Sequence, residues 1–184
     1  ETTVNLIGNA VVQLDRHPDQ LAVARERQNG WSGVVEEVLR FDSPVQMTLR
    51  SAYADVDVQG HTIKRGEPVI LFLGGANRDP EVFDDPQRFD VTRENAHEHL
   101  AFSSGIHYCL GAGLARLETA VALRTLYGRF PELRVAGGPT RRATRTLMPS
   151  SLCPSGMSSA RVSSQAKSYS RVPLVPCPVR IRIH

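Results

Sequence analysis

What the sequence holds little of narrows its function first. Its three cysteines, at 109, 153 and 177 of 184 residues, stand far apart. They do not make a disulfide framework, and they fit an intracellular, reducing compartment. No apolar run approaches the roughly 20 residues that cross a bilayer, and no basic, apolar and small-residue leader opens the chain. A cytoplasmic protein without a membrane segment is therefore expected. Aromatic residues are scarce, at 6%, and are not interleaved with a basic stripe. Acid is missing in one place only. Residues 150–184 hold five Lys+Arg and no Asp or Glu, whereas residues 1–149 hold 17 basic and 19 acidic side chains. The net charge of +3 thus belongs to the tail. The body is slightly acidic, and no nucleic-acid partner is expected.

What remains, with 41% hydrophobic and 22% charged residues, has the composition of an ordinary domain with room for a core. Helical periodicity opens the chain: Leu6, Ala10 and Leu14 fall at i, i+4 and i+8, flanked by Val4, Ile7 and Val11. Pro18 starts a second short helix to about Arg27, which Asn29-Gly30 breaks. Ser32 is the expected N-cap of a third helix whose core side is Val34, Val35, Val38, Leu39 and Phe41. Pro44 ends it. Within that helix Glu37 and Arg40 are i, i+3 neighbours, by default a solvated pair worth about 0.2–0.5 kcal/mol.

The chain then becomes extended. Val56 and Val58 alternate with Asp57, Gln59-Gly60 turns, and Thr62-Ile63 returns. After the turn at Lys64-Arg65-Gly66, Val69 to Leu73 reads as a buried strand, and Arg50 as a strand-face arginine. Two Asp-Pro pairs between Asn77 and Asp90 predict a compact loop with short helical turns. The strongest helix is predicted over Ala112 to Tyr127, stopped by Gly128, with Leu114, Leu117, Val121, Leu123 and Leu126 apolar and Arg116, Glu118 and Arg124 facing out. A short strand is expected around Leu133-Arg134-Val135.

Cys109 stands at the junction between a Gly-bearing loop, 102–111, and this helix. The free N–H groups and positive dipole end of a helix start favour negative charge, hence a thiolate. Gly105, Gly111 and Gly113 leave room for backbone to approach a flat, bulky ligand, and His107 is a donor able to meet a carboxylate. A lone thiolate cannot build a zinc or iron–sulfur site, but haem needs only one axial protein ligand and Cys is one of its choices. The plainer reading is a small buried hydrophobe at a helix start.

The spacing Phe-x-x-Gly-x-His-x-Cys-x-Gly, here Phe102, Gly105, His107, Cys109 and Gly111, resembles the haem-ligand loop of the cytochrome P-450 family. Ser103 stands where that family usually has a second Gly. Other segments follow the family's motif order from Glu1 to about Leu147. Glu1-Thr2 is similar to the end of the acid–threonine motif in the long helix over the distal haem face, which implies proton relay through Thr2 and Glu1. Glu37 and Arg40 resemble the structural ion pair, with Arg88 as its implied third member. Arg50 and His107 would clamp haem propionates, and Val45 and Met47 would approach the substrate side.

The resemblance implies a mainly α fold with small β-sheets, here the C-terminal portion of the cytochrome P-450 fold. It implies haem b with iron held by Cys109, and O2-dependent monooxygenation of a small apolar organic substrate. Electrons would come from a ferredoxin or flavoprotein reductase. Residues 1–149 are expected to form a partial haem-binding domain lacking its N-terminal part. Residues 150–184, with nine Ser, no acid and Pro173, Pro176 and Pro178, are expected to be an aberrant, poorly ordered tail. The family's closing hairpin is not recognisable there, and Cys153 and Cys177 carry no site. The chain alone is not expected to be a competent enzyme. A non-catalytic remnant with weak or no haem binding, and a haem-free redox thiol at Cys109, are the other readings.

Overall fold

The computed structural model describes residues 1–137 and 181–182. The expectations for the tail, including Cys153 and Cys177, lie outside the described residues except at Ile181–Arg182, which form a strand rather than a poorly ordered segment. Three helices come first: α1 (Thr2–Arg16), α2 (Pro18–Glu26) and α3 (Gly30–Phe41). Two antiparallel ribbons follow. β1 (Thr48–Ser51) pairs with β4 (Pro68–Leu71), and β2 (Val56–Val58) with β3 (His61–Ile63). A one-turn helix, α4 (Leu73–Ala76), leads through a meander to α5 (Ala112–Arg129). Finally β5 (Arg134–Val135) pairs with β6 (Ile181–Arg182). This is the mainly α fold with small sheets that the sequence predicts.

The core lies where α1, α2, α3 and α5 meet. Leu6, Ala10 and Leu14 from α1, Val34, Val35, Val38 and Leu39 from α3, and Leu123 and Tyr127 from α5 are buried together. Thr119, Leu123 and Tyr127 recur four apart as one buried stripe of α5, whereas α1 is buried on every side from Ala10 to Leu14. Gln13 is buried as well, and its Nε2 donates to Asp42 Oδ2 at 2.7 Å, tying α1 to the end of α3.

Four local expectations are corrected. Ser32 is not an N-cap: the N-cap is Asn29, three residues earlier, and α3 starts at Gly30. Gly30 sits so close to the end of α2 that a Cβ there would overlap the carbonyl oxygen of Ala24. The helix can therefore begin directly at this tight joint. Gly128 does not stop α5, which continues to Arg129 and ends two residues before Pro131. One glycine weakens a helix by only about 1 kcal/mol, whereas proline forbids its continuation. The run Val69 to Leu73 is not a buried strand. β4 has β1 as its only strand neighbour among the described residues, which leaves Ile70 64% exposed, and Leu73 already belongs to α4.

The fourth correction concerns α5. Its exposed apolar residues are Leu114, Leu117 and Val121, while Arg116 turns inward. The helix is apolar on more than one side, so periodicity alone could not choose the face. Packing selected Ala112, Thr119, Leu123 and Tyr127.

Candidate functional site

A cleft of about 320 Å³ opens between the start of α1, the segment after α3, β1 and the 102–109 loop. Glu1 is the N-cap residue of α1. Thr2, in its first turn, lines the cleft together with Leu6, Leu39, Val45, Arg50, Leu73, Phe102, Ser103, His107 and Cys109. Residues from five separate stretches of sequence thus meet on one surface. Among the residues singled out from sequence, Glu1, Met47 and Gly111 are not part of this lining, and neither are Glu37, Arg40 and Arg88. Gly111 stands beside it as the N-cap of α5, and a Cβ there would lie 3.9 Å from Cys109 Sγ.

The loop's shape follows from local hydrogen bonds. The Ser103 N–H donates to Leu100 O at 2.8 Å and the Cys109 N–H to Phe102 O at 3.0 Å, so the loop's two limbs are tied at its base. Gly105–His107 form a single 3-10 turn between them. Cys109 is exposed, and its carbonyl accepts the Ala112 N–H as α5 begins. Gly105 has φ +61° with open space around it, and Ser103 has φ +62°. A left-handed conformation is ordinary for glycine but costs a serine roughly 1–2 kcal/mol. In exchange, Ser103 Oγ accepts a hydrogen bond from Arg50 Nη2 at 3.3 Å. Arg50 is further held by donating from Nη1 to Thr48 Oγ1 and Leu49 O, at 2.8 and 2.9 Å.

The Glu37–Arg40 pair on α3 is not a solvated contact. Both side chains are fully buried. Arg40 donates to both carboxylate oxygens of Glu37, from Nε at 2.8 Å and Nη2 at 2.7 Å. Its remaining donors reach the carbonyl oxygens of Asn77, Pro86 and Arg88, at 3.1, 2.9 and 3.0 Å. Glu37 Oε1 also accepts the Asp90 N–H at 2.8 Å. Arg40 therefore fastens the meander to α3. Arg88 is not the third charged member. Its side chain is 61% exposed and pairs with Asp90 at 3.1 Å, and only its carbonyl meets Arg40. The cation beside Glu37 is Arg93, whose Nε lies 3.6 Å from Oε2. Arg93 is held there by donating to the carbonyl oxygens of Asp84, Asp85 and Arg88, at 2.6, 3.2 and 3.3 Å. No sequence spacing marks it.

Sequence reasoning also missed a second network. Glu36 Oε1 accepts from Arg116 Nε at 2.6 Å and Oε2 from Nη2 at 3.2 Å, while His99 Nε2 lies 3.2 Å from Oε2. Burial pushes the Glu36 carboxyl up, but the His99 and Arg116 side chains outweigh it and hold the pKa down at about 2. The hydrogen bond from Arg116 spans 80 positions, so nothing local could have revealed it.

The site's donor set fits haem. One cysteine stands at a helix start, an arginine and a histidine share its cleft, and the walls between are largely apolar. A flat apolar macrocycle with an iron and two carboxylates needs these three kinds of group. Among the described residues no group of three or more His, Cys, Asp or Glu is placed to hold a metal by itself. No helix among the described residues is long and apolar enough to cross a membrane.

The cytochrome P-450 family profile matches residues 32–148. Cytochrome P-450 140 of Mycobacterium tuberculosis is 54% identical over 161 residues, which cover 88% of this chain and 37% of the relative. The biotin biosynthesis cytochrome P-450 of Bacillus subtilis is 52% identical over 136 residues, 74% of this chain and 34% of that protein. Among solved structures, P450BioI in complex with an acyl carrier protein ligated to hexadec-9Z-enoic acid superposes with a TM-score of 0.77. It is 48% identical, and the match covers 80% of this chain and 38% of that one. The chain thus spans a little over a third of the length of the curated relatives it matches.

Proposed function

The chain belongs to the cytochrome P-450 family, and from that premise we propose that it carries the ligand-bearing part of a haem-thiolate monooxygenase. The observation that supports this reading is the convergence of Thr2, Arg50, His107 and Cys109 on one cleft. Cys109 would hold the iron of haem b, Arg50 and His107 would face its propionates, and Phe102 and Gly111 would flank the ligand. When bound, that group supplies the activation of O2 for oxidation of an organic substrate. The chain's own residues then do the rest. Thr2 hands protons into the cleft from the side of Glu1, while Val45 borders the substrate and Met47, outside the cleft lining, does not. Electrons would come from a ferredoxin or flavoprotein reductase, and the apolar wall suits a small apolar substrate. The buried Glu37–Arg40 pair has no part in the chemistry and holds the fold. A cytoplasmic location accompanies this reading. Residues 1–149 form the haem-binding part in the proposal and 150–184 a tail, a division that rests on composition.

One observation favours a restriction: this chain alone is not a competent enzyme. Cys109 itself is exposed, and apolar side chains of the same loop and helix stand open, Ile106 at 97% and Leu114 and Leu117 at 60% and 63%. Water reaches a site whose chemistry depends on excluding it. A carbon monoxide difference spectrum on the reduced, haem-reconstituted chain tests the reading. A thiolate-type band that survives Cys153→Ser and Cys177→Ser but disappears in Cys109→Ser is expected. The same band persisting in Cys109→Ser would sink the ligand assignment. A protein that never takes up haem would support the remnant reading or, with a fast-reacting Cys109, the redox thiol.

A further inference from the structure

The ligand loop has no side-chain bond from Cys109 to hold it, yet both of its limbs meet one arginine. We propose that Arg116, anchored on Glu36, is a positioning residue that clamps the two limbs of the 102–109 loop and so sets the place of Cys109. The inference rests on the haem-thiolate reading for what Cys109 does, and on the geometry alone for what Arg116 does.

Three contacts make the clamp. On the inner side the Arg116 fork grips both oxygens of Glu36, so the guanidinium plane is fixed by α3. Toward the incoming limb that plane lies over the Phe102 ring, with Cζ 4.7 Å from the ring centroid. Toward the outgoing limb Nη1 donates to Tyr108 Oη at 3.1 Å. Phe102 and Tyr108 are also in edge contact, with centroids 6.4 Å apart, and the Phe102 carbonyl accepts the Cys109 N–H. His99 completes the seat. Its side chain is 1% exposed beside Glu36, its Nδ1 accepts the Ala101 N–H at 3.2 Å, and its ring lies 5.8 Å from that of Phe102. Nδ1 is thereby an acceptor, so neutral His99 carries its proton on Nε2, the nitrogen that faces Glu36. Arg116 itself belongs to the second turn of α5, the helix that Cys109 leads into. Both limbs are therefore referred to the same two helices.

A lysine can replace the charge but not the fork, and a methionine keeps the apolar stem over Phe102 without any donor. That difference makes the test. Amide hydrogen exchange would be followed peptide by peptide on the whole, haem-free chain. In Arg116→Met the amides of 102–111 should exchange about tenfold faster, the scale of losing one charge-assisted hydrogen bond, while those of α1 to α3 keep their rates. Arg116→Lys should recover most of the protection, and Tyr108→Phe should lose only a small part of it. Unchanged loop exchange in Arg116→Met, equal acceleration throughout the chain, or a Lys variant no better than Met would each overturn the proposal. Because no haem is needed, failure of haem binding leaves this result standing. On haem-reconstituted chain the thiolate-type fraction should fall with Met and recover with Lys, and a loosened loop with that fraction intact would refute the positioning role.

Discussion

Glu36 and Glu37 are neighbours on α3, and each meets an arginine. Glu37 is fully buried with a partner three residues away on its own helix. Glu36 keeps 21% of its side chain exposed and takes its fork from Arg116, 80 positions along the chain. The first pair is a complete internal network in which the arginine has five acceptor contacts and the glutamate receives an extra backbone N–H. The second stands at the edge of the cleft and reaches the proposed ligand loop. A local ion pair became structural by being desolvated and satisfied. A distant one became a support of the site because its partner arrived from the helix that follows the loop.

Breaking the buried pair should have the largest consequence. Arg40→Met leaves the Glu37 charge without its fork and five acceptor contacts empty, which should cost about 3–5 kcal/mol. In urea denaturation the variant should unfold at much lower denaturant or be unfolded from the start. A loss below about 1 kcal/mol would show that water enters and replaces the arginine.

The edge pair should announce itself through acid sensitivity. Its folded-state pKa, about 2, lies below the ordinary glutamate value of 4.5. Its stabilisation is therefore complete above that ordinary value and is lost as pH falls toward the folded one. Between roughly pH 4.5 and 2 the native chain should lose stability more steeply than Glu36→Gln. The carboxyl of Asp90 is also held low, against the upward push of its burial, by Thr92, Arg88 and Arg93. It will contribute a residual slope in both proteins. Parallel pH–stability curves for the two would remove Glu36 from the acid response.

The smallest effect sharpens the assignment of the third cation. Arg88→Ala removes an exposed side chain paired only with Asp90 and should change stability by no more than about 0.5 kcal/mol. Arg93→Ala, which removes the cation beside buried Glu37, should cost clearly more. Equal midpoints for the two variants, or a reversed order, would restore Arg88 to the network.

Much of this fold is legible in the order of the residues. The positions of the three first helices, the β2–β3 turn and α5 can be read to within a few residues, because apolar spacing, Pro18, Gly60 and Pro131 act locally. The Cys109 loop is legible because its chemistry demands particular residues at fixed offsets. The fate of the charged side chains is less so. Helical periodicity puts Arg116 in solvent, yet it faces Glu36. The motif order puts Arg88 inside, yet it lies outside. Both outcomes follow from how distant segments dock.

By itself, the sequence determined which segments form the four longer helices, α1, α2, α3 and α5, that Cys109 would stand at a helix start, and that Glu37 and Arg40 would be neighbours. Backbone propensity and i, i+3 spacing act within a few residues, so no tertiary contact is needed to state them. Only the tertiary structure decided that Thr2, Arg50, His107 and Cys109 would share a cleft. It also decided that Ser103 would take a left-handed backbone, and that Glu37 would be sealed while Glu36 reached the loop. The physical reason is desolvation. Whether a charge is removed from water, and which donors then satisfy it, depends on surfaces brought from elsewhere in the chain, and residue spacing carries no record of them.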